Sequence, residues 1–240
     1  MPAAKNPASP SVLPKCRNSI LVIRDLGNET DYRTTLALQE ELHAARVVDT
    51  IPDTLLLLEH RAVYTMGRSA NPAHILRAPH ELAKLGIHDV CQTSRGGDVT
   101  YHGPGQLVGY PIIHLSERRL RVVPYVSALE EVIIRTLSTY GISSGRDERN
   151  RGVWIGNAKI AALGIRVSRQ VAMHGFALNV NTRLDHYNAM VPCGLQNTSV
   201  VSMKSVLGRE VPMDELKSRL IDEFCAVFNY ERPDASLSAN

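Results

Sequence analysis

Arg95-Gly96-Gly97-Asp98-Val99-Thr100-Tyr101-His102-Gly103-Pro104-Gly105-Gln106-Leu107-Val108-Gly109-Tyr110 gathers five glycines, an arginine and a histidine into one short segment. Glycine lets the backbone pass where a Cβ would clash, either at positive φ or against a bound ligand. Gly96-Gly97 after Arg95 reads as a turn whose N–H groups are open to a guest. Gly103-Pro104-Gly105 reads as a second tight turn. Val99, Tyr101, Leu107, Val108 and Tyr110 are flanking strand residues. The segment is thus a glycine-lined wall beside a cleft with His102 at its edge, or, more plainly, two ordinary hairpin turns. It is not the dinucleotide fingerprint G-x-G-x-x-G, because no strand-then-helix unit surrounds it.

Outward from this segment, the hydrophobic pattern alternates irregularly between the strand period and the helix period. Ile20–Ile23 is a first strand. Thr30 to Val48 is an amphipathic helix with Leu38, Leu42 and Ala45 on one face. Thr54–Glu59 is a continuous apolar run, as in a strand buried on both faces. Ala62–Met66 follows, then an excursion from Asn71 to Gly86 with a short helix over His80–Leu85. Leu107–Ile113 is a strand. Pro124 suits the first turn of a helix that carries Tyr125, Leu129, Val132, Ile133 and Leu137 inward and closes at Gly141. Val153–Ile155 and Ala158–Ile165 form a hairpin about Gly156-Asn157. Val171–Val180 is another strand, and a last helix runs from Pro212 to Phe228 with Leu216, Leu220, Phe224 and Val227 inward. The fold class is α/β (α+β): a mixed β-sheet flanked by helices. One domain over 19–230 is expected, with a disordered lead-in over 1–18 and a flexible tail over 231–240.

The 240 residues can bury a substantial core without disulfides or metals. A formal charge of +3 is too small to argue for a nucleic-acid partner. Arginines cluster locally at Arg118, Arg119 and Arg121 and at Arg146, Arg149 and Arg151. Such clusters are a solvated surface or a meeting place for an acidic protein. No run reaches the roughly 18 apolar residues that cross a bilayer, and there is no signal-peptide core. A cytoplasmic, monomeric protein with reduced thiols is expected. The basic, proline-bearing first residues leave an organellar transit peptide as an alternative.

Cys16, Cys91, Cys193 and Cys225 are scattered, with no metal-ligand spacing, so no metal is expected. Cys193 stands in Val191-Pro192-Cys193-Gly194, where a tight loop can present a nucleophile; a buried packing thiol is the alternative. Cys225 falls on the core face of the last helix, Cys16 in the lead-in, and Cys91 in a strand-like stretch. Lys159 begins the outgoing arm of the Gly156-Asn157 hairpin among small apolar residues. It either snorkels to water or points into a cleft. Side by side, a lysine and Cys193 would activate one another, because a nearby positive charge lowers a thiol's pKa. From about 8.5, that gain is at most about 30-fold, roughly 2 kcal/mol. The lysine must therefore also move protons, and backbone N–H groups must hold an oxyanion. His102 and His174 each precede a glycine, and each is a candidate base or a structural histidine.

These blocks resemble the octanoyl-[acyl carrier protein]:protein N-octanoyltransferases, or lipoyl(octanoyl) transferases. They are Arg95 to Tyr110, Lys159–Gly164, His174-Gly175-Phe176-Ala177-Leu178-Asn179 and Pro192-Cys193-Gly194. The ordered match extends from about Tyr32 to Leu207 and includes His60–Arg68; Arg61 stands where the family more often has proline. The resemblance implies the catalytic fold of biotin and lipoate protein ligases and no cofactor. It implies octanoyl-acyl carrier protein as donor. It implies lipoyl domains of 2-oxoacid dehydrogenase and glycine cleavage complexes as acceptors. It makes Cys193 the acyl-thioester nucleophile and Lys159 its acid/base partner. Arg95, Gly96, Gly97, Asp98, Val99, Thr100, Tyr101, His102, Ala162, Leu163, Gly164, Gly175, Phe176 and Ala177 would line an apolar acyl site. Two rivals stand beside it. An ATP-dependent lipoate or biotin ligase of the same fold would form an adenylate and need no cysteine. A non-catalytic module for acyl carrier or lipoyl domains would need the cleft without Cys193 and Lys159 together.

Overall fold

The structure, a computed structural model, describes residues 20–148, 150–191 and 199–233. In chain order its elements are β1 (Leu21–Asp25), α1 (Tyr32–Val47), β2 (Asp53–Leu58), β3 (Val63–Met66), α2 (Pro79–Lys84) and β4 (Asp89–Gln92). Then come β5 (Val99–His102), β6 (Gln106–Ile112), α3 (Val122–Ser138), β7 (Gly145–Asp147) and β8 (Asn150–Ile155). The last are β9 (Ala158–Ser168), β10 (Val171–Asn179), β11 (Ser199–Val200), α4 (Met203–Leu207) and α5 (Met213–Phe228).

The main sheet runs β1-β2-β6-β10-β9-β8-β7, with β11 pairing in parallel beside the start of β9. β1 and β2 are parallel, whereas β2–β6–β10–β9–β8 is antiparallel throughout, so the sheet is mixed as expected. Helices cover both faces. Leu55 and Leu57 join the core under α3 and α5, while Leu56 and Leu58 join the core under α1. That is why the apolar run of β2 shows no alternation: side chains alternate between faces, and both faces are dry. The inward stripes of α3 and α5 fall where the spacing puts them.

Three details differ from the sequence reading. The first strand begins at Leu21, and Ile20 is 60 % exposed. The buried stripe of α1 is Tyr32, Thr35, Gln39, Leu42 and Arg46, largely polar, with Leu38 and Ala45 half-buried beside it. Arg118 is no surface cation: it is 4 % exposed and lies over the Tyr230 ring at 3.4 Å. Asp53 explains the burial of Arg46 and Arg118. Its Oδ1 accepts from Arg46 Nε at 2.9 Å, and its Oδ2 accepts from Arg118 Nε at 3.0 Å and from the Tyr230 hydroxyl at 2.7 Å. A buried charge persists when it is paired and hydrogen-bonded.

A second, small sheet, β4-β3-β5, was not separated from the first in the sequence. It packs through Tyr64, Val99 and Tyr101 onto Leu82, Ile87, Tyr187 and Met190. Its β5 edge leads into β6 of the main sheet through Gly103-Pro104-Gly105. Gly105 takes φ +78° there, and its N–H donates to Glu59 at 2.7 Å. The glycine-rich segment thereby joins the two sheets.

Candidate active site

The blocks singled out in the sequence converge. Gly175 pairs with Gly164, Phe176 with Leu163 and Ala177 with Ala162 across β10 and β9. The loop between β4 and β5, which carries Arg95-Gly96-Gly97, lies over the same place on β9, where Gly96 N–H donates to Ile165 O at 2.9 Å. That N–H is therefore used inside the fold rather than left open for a guest. An added Cβ at Gly164 would stand 3.0 Å from Gly96 O, so only glycine admits the crossing without a shift.

Between β5, β9 and β10 lies a cavity of about 310 Å³, at the lower end of the range for small-ligand sites. Arg95, Gly97, Asp98, Val99, Thr100, His102, Ala162, Leu163, Gly164, Gly175, Phe176 and Ala177 line it. Tyr32, Ser69, Tyr110, Asn150 and His174 complete the wall. Gly96 and Tyr101 are not part of that wall. Tyr101 packs instead in the core beside the small sheet, and its hydroxyl is 2.7 Å from His186 Nδ1.

Arg95 borders the cavity but is 7 % exposed and holds its own loop together. Its guanidinium donates to Thr65 O at 2.6 Å, Asp98 O at 2.7 Å and Gly96 O at 3.0 Å. The expected apolar wall is mixed instead, with an aromatic and imidazole flank. His102 stacks on Tyr32 at 5.9 Å, and His60 donates to or accepts from Tyr110 OH at 2.8 Å. Burial lowers His60 to about 4 and His174 to about 3, and places His102 well below its ordinary value. Burial likewise pushes Tyr32 up to about 12 and Tyr110 well above its usual range. These rings are therefore uncharged at neutral pH, and His102 and His174 are poor proton acceptors there. His174 is also held at φ 57° within β10, a left-handed conformation that is costly for a residue with a Cβ.

Lys159 is 4 % exposed. Its Nζ donates to Asn150 Oδ1 at 3.0 Å and to Arg151 O at 3.2 Å, and lies 4.8 Å from the Trp154 ring centroid. It points inward rather than snorkelling, and it reaches the cavity wall through Asn150. Nothing in the sequence marked Asn150, a polar residue at the start of a strand.

Cys193, with Pro192 and Gly194, lies outside the described residues, as do Cys16 and Arg149. The chain on either side is described. Val191 N–H donates to His74 O at 2.8 Å, and His74 Nδ1 pairs with Asp98, a cavity residue. Downstream, Ser199 pairs with Ala158 and Val200 with Lys159, and Val201 N–H donates to Lys159 O at 3.0 Å. A buried relay ties this return to the cavity: His102 Nδ1 meets Gln106 Oε1 at 2.8 Å, Gln106 Nε2 donates to Asn179 Oδ1 at 3.0 Å, and Asn179 Nδ2 donates to Val201 O at 3.2 Å. The two described cysteines are poor nucleophiles. Burial pushes Cys91 up to about 12, aided by Asp89, and Cys225 up to about 11.

Comparison with known proteins identifies the family. The model of the lipoyl protein ligase A/B catalytic domain matches residues 31–225. An octanoyltransferase of Solibacter usitatus is 47 % identical over 90 % of this chain and 97 % of its own. Among solved structures, a bipartite lipoate protein ligase of Thermoplasma acidophilum superposes with a TM-score of 0.64 at 17 % identity, over 88 % of this chain and 85 % of that one. The biotin protein ligase of Aquifex aeolicus gives 0.51 at 11 % identity, over 88 % and 70 %; both likenesses concern the fold alone. Among the described residues no helix is long and apolar enough to cross a membrane. The chain belongs to the lipoyl protein ligase A/B catalytic-domain family and, within it, to the octanoyltransferases, which are acyltransferases.

Proposed function

We propose that this protein moves an octanoyl group from octanoyl-acyl carrier protein, through a thioester on Cys193, to a lysine of a lipoyl domain. The observation that carries the reading is the placement of Lys159. It is a buried lysine, hydrogen-bonded to a cavity residue, on the strand that β11 joins six residues after Cys193. That pairing brings the chain downstream of Cys193 alongside Lys159, where Val200 is its register partner.

In the first half-reaction the Cys193 thiolate attacks the carbonyl carbon of the carrier's thioester. The tetrahedral oxyanion collapses and expels the pantetheine thiolate, which Lys159 protonates. One thioester replaces another at little net cost. In the second, the acceptor amine attacks the acyl-enzyme, the Cys193 thiolate leaves, and Lys159 or that thiolate takes the amine's proton. An amide made from a thioester is downhill, so no ATP is consumed, and the double displacement gives ping-pong kinetics. Chain length is read in the cavity, where each buried methylene is worth about 0.8 kcal/mol. We place the reaction in the cytoplasm, carried out by a monomer.

The test is transfer to a lipoyl domain without ATP. Wild-type protein should modify the domain, whereas Cys193→Ala and Lys159→Ala should fold with unchanged circular dichroism and fail to transfer. A strict ATP requirement would point to the ligase chemistry instead, and near-normal turnover in Lys159→Ala would remove the lysine from the mechanism.

A further inference from the structure

The cavity wall formed by Gly97, Asn150, Leu163 and Gly164 has a second side. The same four residues line an adjoining groove of about 370 Å³, which runs outward past Val126 on α3 to Arg151. Asn150, whose Oδ1 accepts the Lys159 Nζ hydrogen bond, thus borders both spaces. A thioester presented at that junction needs room on both sides of its carbonyl. The hydrocarbon tail occupies one side, and the long arm that bears the sulfur occupies the other.

We infer that this groove seats the phosphopantetheine arm of the acyl donor, with Arg151 meeting the arm's phosphodiester at the mouth. The inference rests on the carrier-thioester reading above and adds where the donor lies. Charge selects this occupant. Arg146 and Arg151 share the buried Glu130 carboxylate at 3.2 and 3.5 Å, and Glu131 pairs with Arg146 and Arg135. Among the described residues the buried Glu130 carboxylate is thus shared between two guanidiniums. The Arg151 side chain is 51 % exposed, and the first turn of α3 carries no acidic residue. An anionic arm is attracted to such a mouth. The cationic side chain of an acceptor lysine is repelled by it.

Two variants of the full chain test this, Arg151→Gln at the mouth and Val126→Trp in the groove, each checked for an unchanged melting transition. Acylation is followed with octanoyl-acyl carrier protein and with S-octanoyl-N-acetylcysteamine, which has the thioester but neither the long arm nor the phosphodiester. Arg151→Gln should raise KM for the carrier donor about tenfold, the size of one lost charge-assisted hydrogen bond. Its effect on the short donor should be clearly smaller, because that donor carries no phosphodiester for Arg151 to meet. Val126→Trp should slow the carrier donor more than the short one. Equal effects on both donors, or no effect on either, would overturn the assignment. So would slowing confined to discharge of a preformed acyl-enzyme onto the lipoyl domain, which would give the groove to the acceptor. Wild-type protein that neither donor acylates would instead refute the thioester reading itself.

Discussion

Asn150 is the residue whose importance emerges only in three dimensions. Cys193 and Lys159 are legible in the sequence because their neighbours are distinctive: a Pro-Cys-Gly loop and a lysine amid alanines. Asn150 has no such setting, and its contact with Lys159 arises from the pairing of β8 with β9. Removing the acceptor should leave the lysine less well placed. Asn150→Ala is expected to lower kcat about tenfold, in keeping with a lost hydrogen bond to a charged group, with KM for the donor little changed. Asn150→Asp separates placement from packing. A carboxylate at that site favours the protonated amine, so the neutral amine that takes up a proton is present only at higher pH. The pH–rate profile should move up by about one unit. An unmoved profile would make Asn150 a packing residue only.

At the scale of elements, the site is a meeting of strands whose small residues coincide. The sequence shows Ala162–Gly164 and Gly175–Ala177 as separate blocks. Their register, Gly164 opposite Gly175, depends on the hairpin that joins β9 to β10. That turn is Arg169-Gln170, with φ of 49° and 67°, a two-residue turn without the glycine or asparagine that ordinarily announces one. It was therefore unreadable, as was the polar inner face of α1, where tertiary partners such as Asp53 and the His174 N–H take the place of apolar contact. Gly164→Ala would bring its Cβ within 3.0 Å of Gly96 O and 3.2 Å of the Arg95 side chain. It should cost about 1–3 kcal/mol of stability by overpacking and raise KM for the acyl donor, measured by denaturant unfolding and steady-state kinetics. Unchanged KM would mean that the Arg95 loop does not set the acyl site.

For the whole molecule, the same burial that keeps the cavity rings neutral makes the fold sensitive to acid. His60, His102 and His174 all have native values below the ordinary 6.5. As pH falls below about 6.5 the unfolded chain takes up protons that the native state refuses, so stability declines from there down through the native values of about 4 and about 3. Each histidine contributes up to about 1.4 kcal/mol per pH unit, so the three together approach about 4. Urea midpoints should drop steeply between pH 6.5 and 4, and less steeply in His60→Gln; a flat profile would contradict the buried, neutral state. Far from the cavity, Asp53→Ala would remove a carboxylate shared by two buried guanidiniums and should cost about 3 kcal/mol, read as a lowered melting temperature. The claim on which the account turns is the covalent one, and one intact-mass measurement addresses it. The purified protein is mixed with octanoyl-acyl carrier protein in the absence of ATP. The account predicts a gain of one octanoyl group, removed by hydroxylamine and absent in Cys193→Ala. Folded, transfer-competent protein that never carries the adduct, even when quenched during turnover, would contradict it.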